Sequence, residues 1–281
     1  MTERNYVKAV LTDFKPSKRL GQHFLVHESV ADRIVEASEI SPRDVCLEIG
    51  PGLGVLTSRL VSRALLVVAV EVDRKLCALL GQRVRAENLA LLESDILTLD
   101  CSTLSTRYAV GGFKVVSNLP YRVTAPILFW LIENREHIVR AILTVQLEVA
   151  ERLMADPGSK AYGVTTLKVS YYAATSLLFR IGRNAFFPPP EVDSAVITLD
   201  FLRKPKVRVG DESHLFNLID RSFQSRRKML RACLRIGFGL KSSELEKIQM
   251  ASSIDLRRRG ETLSLDEFAV LSEEMRRVRG R

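Results

Sequence analysis

The sequence has no long hydrophobic run. The longest, Ala64 to Val70, falls far short of the roughly 20 residues that cross a bilayer, and the opening MTERNYVKAV holds no hydrophobic signal core. A cytoplasmic protein without a membrane partner is expected. Cysteine is sparse as well: Cys46, Cys77, Cys101 and Cys233 show no CxxC spacing, and Cys46 lies in an apolar stretch, so neither a zinc site nor a disulfide framework is expected. The four histidines, at 23, 27, 137 and 214, are too scattered for a metal motif. No metal cofactor is expected. What is present excludes a disordered or fibrous polymer, because 46% of the residues are apolar and only 27% charged. At about 150 residues per domain, the 281-residue chain is expected to form two domains.

Charge is unevenly placed. Residues 203–281 carry 19 Lys and Arg against 11 Asp and Glu, so they hold +8 of the formal net charge of +9, and residues 1–202 are nearly neutral. Basic side chains concentrated in one segment suggest a polyanionic partner, since they release condensed counterions from phosphates. A solvated helical surface is the alternative reading of the same charge.

From Asp44 to about Leu202, β-branched runs alternate with helical patterns, which predicts βα units around a largely parallel sheet. Strands are expected at Val45–Ile49, Leu66–Glu71, Leu89–Leu92, Lys114–Ser117, Ala141–Val145, near Leu177–Ile181 and at Ala195–Phe201. Apolar spacing of three and four predicts helices at Leu53–Val61, Arg74–Arg85, Pro126–Glu133 and Leu147–Met154. No helix pattern separates the last two strands, so that pair is expected to be antiparallel. After Phe201 a charged stretch with Pro205 and Gly210 reads as a linker. Beyond it, His214–Phe223, Lys228–Ile236, Ser243–Met250 and Leu265–Arg277 are helix-like, with Ser243 or Ser264 as N-caps. The expected division is therefore 1–202, with 1–30 an N-terminal arm contributing to the cofactor site, and a basic helical domain at 203–281.

The first strand runs into Glu48-Ile49-Gly50-Pro51-Gly52-Leu53-Gly54. Glycines at a strand-to-helix turn permit positive φ and let a ligand approach the backbone. The dinucleotide fingerprint needs its third glycine at 55, where Val55 stands, so a nicotinamide or flavin reading loses ground. Glu71 ends the second strand, where an acid can accept the hydroxyl hydrogens of a ribose, and Asp95 follows the third, where one can accept from an adenine amino group. Either acid alone could be an ordinary solvated strand end. Together with the glycine loop, and with no Lys or Arg there to meet a phosphate, they resemble the S-adenosylmethionine pocket of class I methyltransferases.

The fourth strand leads into Asn118-Leu119-Pro120-Tyr121. This sequence resembles the catalytic motif of adenine-N6 methyltransferases, and the chemistry suits it. An exocyclic amine is a poor nucleophile because its lone pair is delocalised into the purine. The amide oxygen of Asn118 and the carbonyl of Leu119 can each accept one N–H and localise that pair. Pro120 stiffens the turn, and Tyr121 offers a π-face to a flipped base. A second aromatic is expected from Asn184–Ser194, where Phe186 aligns with the stacking position and Phe187 could serve instead.

Across roughly residues 15–235 the chain resembles the KsgA-type small-subunit ribosomal RNA adenine dimethyltransferases. The matching residues are Lys18–Leu25, Glu48–Gly54, Glu71, Asp95, Asn118–Tyr121, Gln146–Leu153, Lys160–Gly163, Phe186–Ser194 and Ser222–Leu230. The resemblance implies a Rossmann-like α/β fold with a mostly parallel seven-stranded sheet plus a small C-terminal all-α domain. It implies two methyl transfers from S-adenosylmethionine to N6 of each of two adjacent adenines, in the terminal hairpin of small-subunit rRNA within a pre-30S particle. It also places His23, Leu25, Gly50, Gly52, Glu71, Asp95 and Asn118 at the cofactor, although the position of His23 is often Asn in this family. The basic cluster Arg226, Arg227 and Lys228 is expected to meet RNA phosphate, a role Arg257-Arg258-Arg259 could share. A monomer is expected.

Three other readings remain open at this point. The macrolide-resistance methyltransferases act on large-subunit rRNA with a similar fold, but Phe186–Ser194 and Arg226–Lys228 look more like the small-subunit type. DNA adenine methyltransferases usually place Pro-Pro where this chain has Leu119-Pro120. A protein that mainly checks subunit assembly, with methylation incidental, is the reading from another class.

Overall fold

A computed structural model of the protein describes residues 2–14 (Asp13 without its side chain), 16, 21–108, 111–225 and 227–280. By internal contacts the chain divides into two units, Met1–Ala150 with Ala174–Phe201, and Glu151–Ala173 with Leu202–Arg281.

The first unit is built on a mixed sheet. Its strands in chain order are β1 (Phe24–Leu25), β2 (Val45–Ile49), β3 (Leu66–Glu71), β4 (Leu89–Glu93), β5 (Phe113–Asn118), β6 (Ile138–Gln146), β7 (Ala173–Ile181), β8 (Phe186–Phe187) and β9 (Ser194–Phe201). Seven of them form one sheet in the order β4-β3-β2-β5-β6-β9-β7, while β1 and β8 pair separately and antiparallel. Neighbours from β4 through β6 are parallel and β9 is antiparallel to β6. The expected Rossmann-like α/β sheet is thus present, with β9 and β7 adjacent as expected. Every residue of β2 is buried, as a central strand covered on both faces requires. On one face Ile34 and Val35, from helix Glu28–Ala37, pack with Cys46, Val67, Ala69, Val116 and Ile142.

The order of strands creates the cleft. The chain fills β2, β3 and β4 to one side and then crosses to β5 on the other, so β2 and β5 flank a topological switch point, where α/β sheets bind ligands. Their paired register ends at Leu47 and Val115. Beyond it the Ser117 hydroxyl accepts from the Ile49 amide at 2.8 Å, and the two strand ends lead into separate turns.

The helix expected over Leu53–Val61 is shorter than its pattern: only Thr57–Leu60 is helical. Gly54 sits at φ +83°, and a Cβ there would come within 2.3 Å of Leu80 Cδ1, so the preceding apolar residues form a turn pressed onto helix Arg74–Arg83. The N-terminal helix Glu3–Asp13 has no counterpart among the expected elements. It packs Val7, Tyr6, Val10 and Leu11 against Leu53, Leu76, Phe24 and Phe187.

The second unit holds helices Val164–Tyr172, Glu212–Phe223, Leu230–Phe238, Ser242–Ser252 and Leu265–Val278. It takes in Glu151–Ala173, which a division at 202/203 leaves with the first unit. The reason is local. Tyr171 and Tyr172 donate their hydroxyls to the two oxygens of Glu212 at 3.0 and 2.6 Å, Lys168 pairs with Asp220 at 2.9 Å, and the amides of Leu202 and Lys206 bond the carbonyls of Tyr172 and Tyr171. Ser264 caps its helix in a capping box with Glu267, whereas Ser243 lies inside a helix whose N-cap is Lys241.

Candidate active site

A single pocket at the switch point is lined by His23, Leu25, Gly50, Gly52, Glu71, Asp95, Asn118, Leu119, Pro120 and Tyr121. One wall is the glycine loop after β2. Gly50 and Gly52 adopt φ of +66° and +57°, and a Cβ on Gly52 would meet the Phe24 ring at 3.3 Å, so only glycine leaves that space open.

Glu71, at the end of β3, is 4% exposed. One of its oxygens accepts from Gly52 N at 3.0 Å and the other from Asp73 N at 3.0 Å. Burial pushes this carboxyl above its ordinary range, against the pull of these amides, and the nearby Asp73 charge adds to the rise. A carboxylate has about four lone-pair positions, so two used by the backbone leave capacity for ligand hydroxyls. Asp95 is exposed and follows β4; its Oδ1 accepts from Leu97 N at 3.0 Å, which starts the short 3-10 helix Ile96–Thr98.

Asn118 ends β5. Its Nδ2 donates to the main-chain oxygen of His23 at 3.2 Å, and its Oδ1 is buried with no hydrogen-bond partner. A buried acceptor without a donor is costly and rare, and in a pocket it marks where a ligand N–H can be received. Leu119 bonds Thr144 O through its amide at 3.1 Å, and Pro120 O accepts from Val123 N and the Thr124 hydroxyl, both at 3.1 Å, which secures the turn.

The Tyr121 hydroxyl lies 2.5 Å from Ser194 Oγ, and burial raises the phenol above its usual pKa. Its ring stacks on His23, with centroids 5.3 Å apart and planes at 29°, and meets Phe186 edge-on at 6.5 Å and 70°. Phe186 itself is 2% exposed, packs in the core and is absent from the pocket lining, so in this structure it offers the base site no open face. Strand pairing accounts for this: Phe186 is opposite Leu25, and the pair turns inward. Phe187 is partly buried beside Phe24, with Lys8 Nζ 5.9 Å from its ring centre.

Sequence reasoning missed two carboxylates in the pocket. Glu48 on β2 is 1% exposed, accepts the Thr57 hydroxyl at 2.7 Å and is pushed up to about 8 by burial, with the Glu71 charge adding and the Thr57 bond opposing. It stands first in the Glu48–Gly54 motif, but the motif alone assigned it no place in the pocket. Glu3, from the unforeseen helix, forms a two-pronged pair with Arg83 at 2.9 and 2.5 Å; Arg83 also bonds Leu53 O and lies over the Tyr6 ring. Among the described residues, no three His, Cys, Asp or Glu converge as metal ligands, and no helix is long and apolar enough to cross a membrane.

In the second unit Arg227 and Lys228 are exposed, in the turn before helix Leu230–Phe238; Arg226, like Lys18, Arg19 and Leu20, lies outside the described residues. Main-chain bonds from Leu230 to Arg258 and from Arg231 to Leu256 lay this turn beside the Arg257-Arg258-Arg259 run. Each arginine of that run has an acidic partner, Asp255, Glu267 and Glu261 respectively. Its charge is therefore largely answered within the unit.

The chain is similar to known proteins along nearly its whole length. The family described as ribosomal RNA adenine dimethylase matches residues 13–270. Over 94% of its length the chain is 39% identical to the ribosomal RNA small subunit methyltransferase A of Alkaliphilus oremlandii, covering 93% of that protein. It is 41% identical to the protein of the same name from Clostridium acetobutylicum, over 94% of this chain and 95% of that one. Among solved structures, a dimethyladenosine transferase from Plasmodium falciparum shares the fold with a TM-score of 0.71 at 24% identity, over 89% and 96% of the two chains. The 23S rRNA methyltransferase ErmE does so with a TM-score of 0.67 at 23% identity, over 90% and 99%.

Proposed function

The chain belongs to the ribosomal RNA adenine dimethylase family, and we propose that it transfers methyl groups from S-adenosylmethionine to N6 of two adjacent adenines in the 3′-terminal hairpin of small-subunit rRNA. The setting is the cytoplasm, on a pre-30S particle, with the enzyme acting as a monomer. The fold alone does not select the RNA, since a 23S rRNA enzyme shares it; the relatives at about 40% identity favour the small subunit.

The observation that carries the reading is the unpartnered Oδ1 of Asn118. With Nδ2 held by His23 O, that oxygen is available to accept one N–H of the adenine amine. The Leu119 carbonyl accepts the other. Two acceptors so placed draw the lone pair out of the purine system and aim it, which accelerates attack without prior deprotonation. After one transfer the methylated nitrogen gives up one proton to solvent and keeps one hydrogen and a lone pair, so one acceptor still serves the second. Tyr121 supplies the stacking face, held by Ser194.

The pocket residues suit S-adenosylmethionine. Glu71 has lone pairs left for ribose hydroxyls, Asp95 stands at the next strand end for an adenine amino group, and the glycine loop leaves space at Gly52 with no basic side chain for a phosphate. When bound, this cofactor supplies a methyl group on a cationic sulfur, which a lone pair displaces in line. His23 and Leu25 line the wall between loop and base site. In the second unit, Arg226, Arg227 and Lys228 contact rRNA phosphates.

The test uses purified protein, labelled cofactor and small subunits lacking the modification. N6,N6-dimethyladenosine is expected in the small-subunit rRNA by nucleoside mass spectrometry. Label in duplex DNA or large-subunit RNA instead overturns the assignment.

A further inference from the structure

We infer that the His23 imidazole holds the place of the target base on Tyr121, and that the incoming adenine must displace it. This rests on the reading of Tyr121 as the base platform. The two rings are 5.3 Å apart between centroids and inclined by only 29°. A third ring between them needs about 7 Å, twice the usual carbon contact distance, so an adenine cannot enter while both stay put.

Of the two, His23 is the one free to leave. Tyr121 is held at its hydroxyl by Ser194, which is fully buried, and at its edge by Phe186, which is core. The His23 side chain is partly buried, and its one polar contact among the described residues is Nδ1 to Pro188 O at 2.7 Å. A carbonyl can only accept, so Nδ1 carries the hydrogen of that bond. The bond to Asn118 comes from the His23 main chain instead, so the ring can swing away without releasing the amide that orients the reacting nitrogen. The imidazole thereby acts on entry of the base, while the His23 main chain keeps its hold on Asn118. The ring sets a threshold that a base crosses only by regaining both a stack on Tyr121 and a hydrogen bond to Asn118 Oδ1, which selects for a purine with an amino group.

The experiment measures KM and kcat on a small-subunit rRNA hairpin, and Kd for the same adenine-bearing hairpin without cofactor, for wild type, His23→Ala, His23→Asn and His23→Phe. With the ring removed in the Ala and Asn variants, KM for the hairpin at saturating cofactor and Kd should both fall roughly three- to tenfold, the weight of one aromatic stack. His23→Phe keeps a ring on Tyr121 without the Pro188 bond and should not show that fall. A higher or unchanged KM in both Ala and Asn variants overturns the inference, because the imidazole would then be a wall of the base site or a bystander. If wild type transfers nothing to the hairpin or to whole subunits, it is the proposed function that fails.

Discussion

Asn118 and His23 are joined at 3.2 Å, side-chain amide to main-chain oxygen, and that bond decides which end of the Asn118 amide faces the pocket. The nitrogen is used and the oxygen is left buried without a donor. Asn118→Ala removes the acceptor while leaving the strand end and its turn in place. Turnover should fall roughly 10²- to 10³-fold, as for loss of one oriented hydrogen bond to a transition state, with subunit binding within twofold. A variant that methylates at the normal rate would refute the lone-pair argument.

Glu71 joins the glycine loop to the ribose position. Its oxygens already hold the amides of Gly52 and Asp73, so Glu71→Ala both frees the loop and removes the acceptor for the cofactor hydroxyls. Calorimetry should show S-adenosylmethionine binding weakened roughly 10- to 100-fold, the range for one or two hydrogen bonds to a charged group, with kcat at saturating cofactor much less affected. Unchanged affinity would move the ribose elsewhere.

Glu48 makes stability depend on pH in a definite sense. Its carboxyl is raised from 4.5 to about 8 in the folded protein, chiefly by burial. The folded chain therefore holds this proton where the unfolded chain has lost it. The contribution of Glu48 is greatest below pH 4.5, declines as pH rises from 4.5 to 8 and is flat above. Glu48→Gln keeps the neutral shape and the Thr57 contact, so across a pH series of thermal melts the gap in Tm over wild type should widen toward pH 8. Parallel curves would mean the buried acid is ionised throughout.

The Glu3–Arg83 pair fastens the N-terminal helix beside the pocket. Glu3 is 5% exposed and Arg83 is partly exposed, so Arg83→Met should cost about 2 kcal/mol, between the values for surface and buried pairs. Because Arg83 also bonds Leu53 O of the glycine loop, cofactor affinity should fall with it. Denaturant unfolding and calorimetry check the two effects, and loss of neither would make the helix independent of the pocket.

This helix shows why part of the site was not legible. Its sequence, ERNYVKAVLTD, is mostly polar, and its apolar face has meaning only against Leu53, Leu76 and Phe24, residues brought together by the fold. Val45–Ile49 and Leu66–Glu71, by contrast, are apolar except for Glu48 and Glu71 and are bounded by turn signals, and both strands have the expected limits. Leu53–Val61 has helical spacing for a different reason: its apolar residues serve two clusters, Leu53 packing with Leu76 and Val55, Leu56 and Leu60 with the sheet core, and only Thr57–Leu60 is helical. Phe186 and Phe187 are adjacent aromatics before the same prolines, and the strand pairing with Phe24 and Leu25 decides which is buried. Glycines and Asn118 could be read because their chemistry is local. The burial of Glu48 could not, since it depends on both neighbours of β2.

The basic tail holds cations paired with acids, Arg257, Arg258 and Arg259, and cations that lie exposed in the turn beside them. Arg258 bonds Glu267 and Thr262, so Arg258→Ala should lower Tm. In the turn beside it, Arg227 and Lys228 are exposed. Replacing Arg226, Arg227 and Lys228 by Gln should reduce the slope of log K against log salt for rRNA binding by about 0.7–0.9 per lost phosphate contact, with Tm unchanged. The comparison turns on the difference between the two variants. If the slope changes for Arg258→Ala and not for the triple variant, phosphate contact belongs to the 257–259 run, and the excess charge of the turn only solvates it.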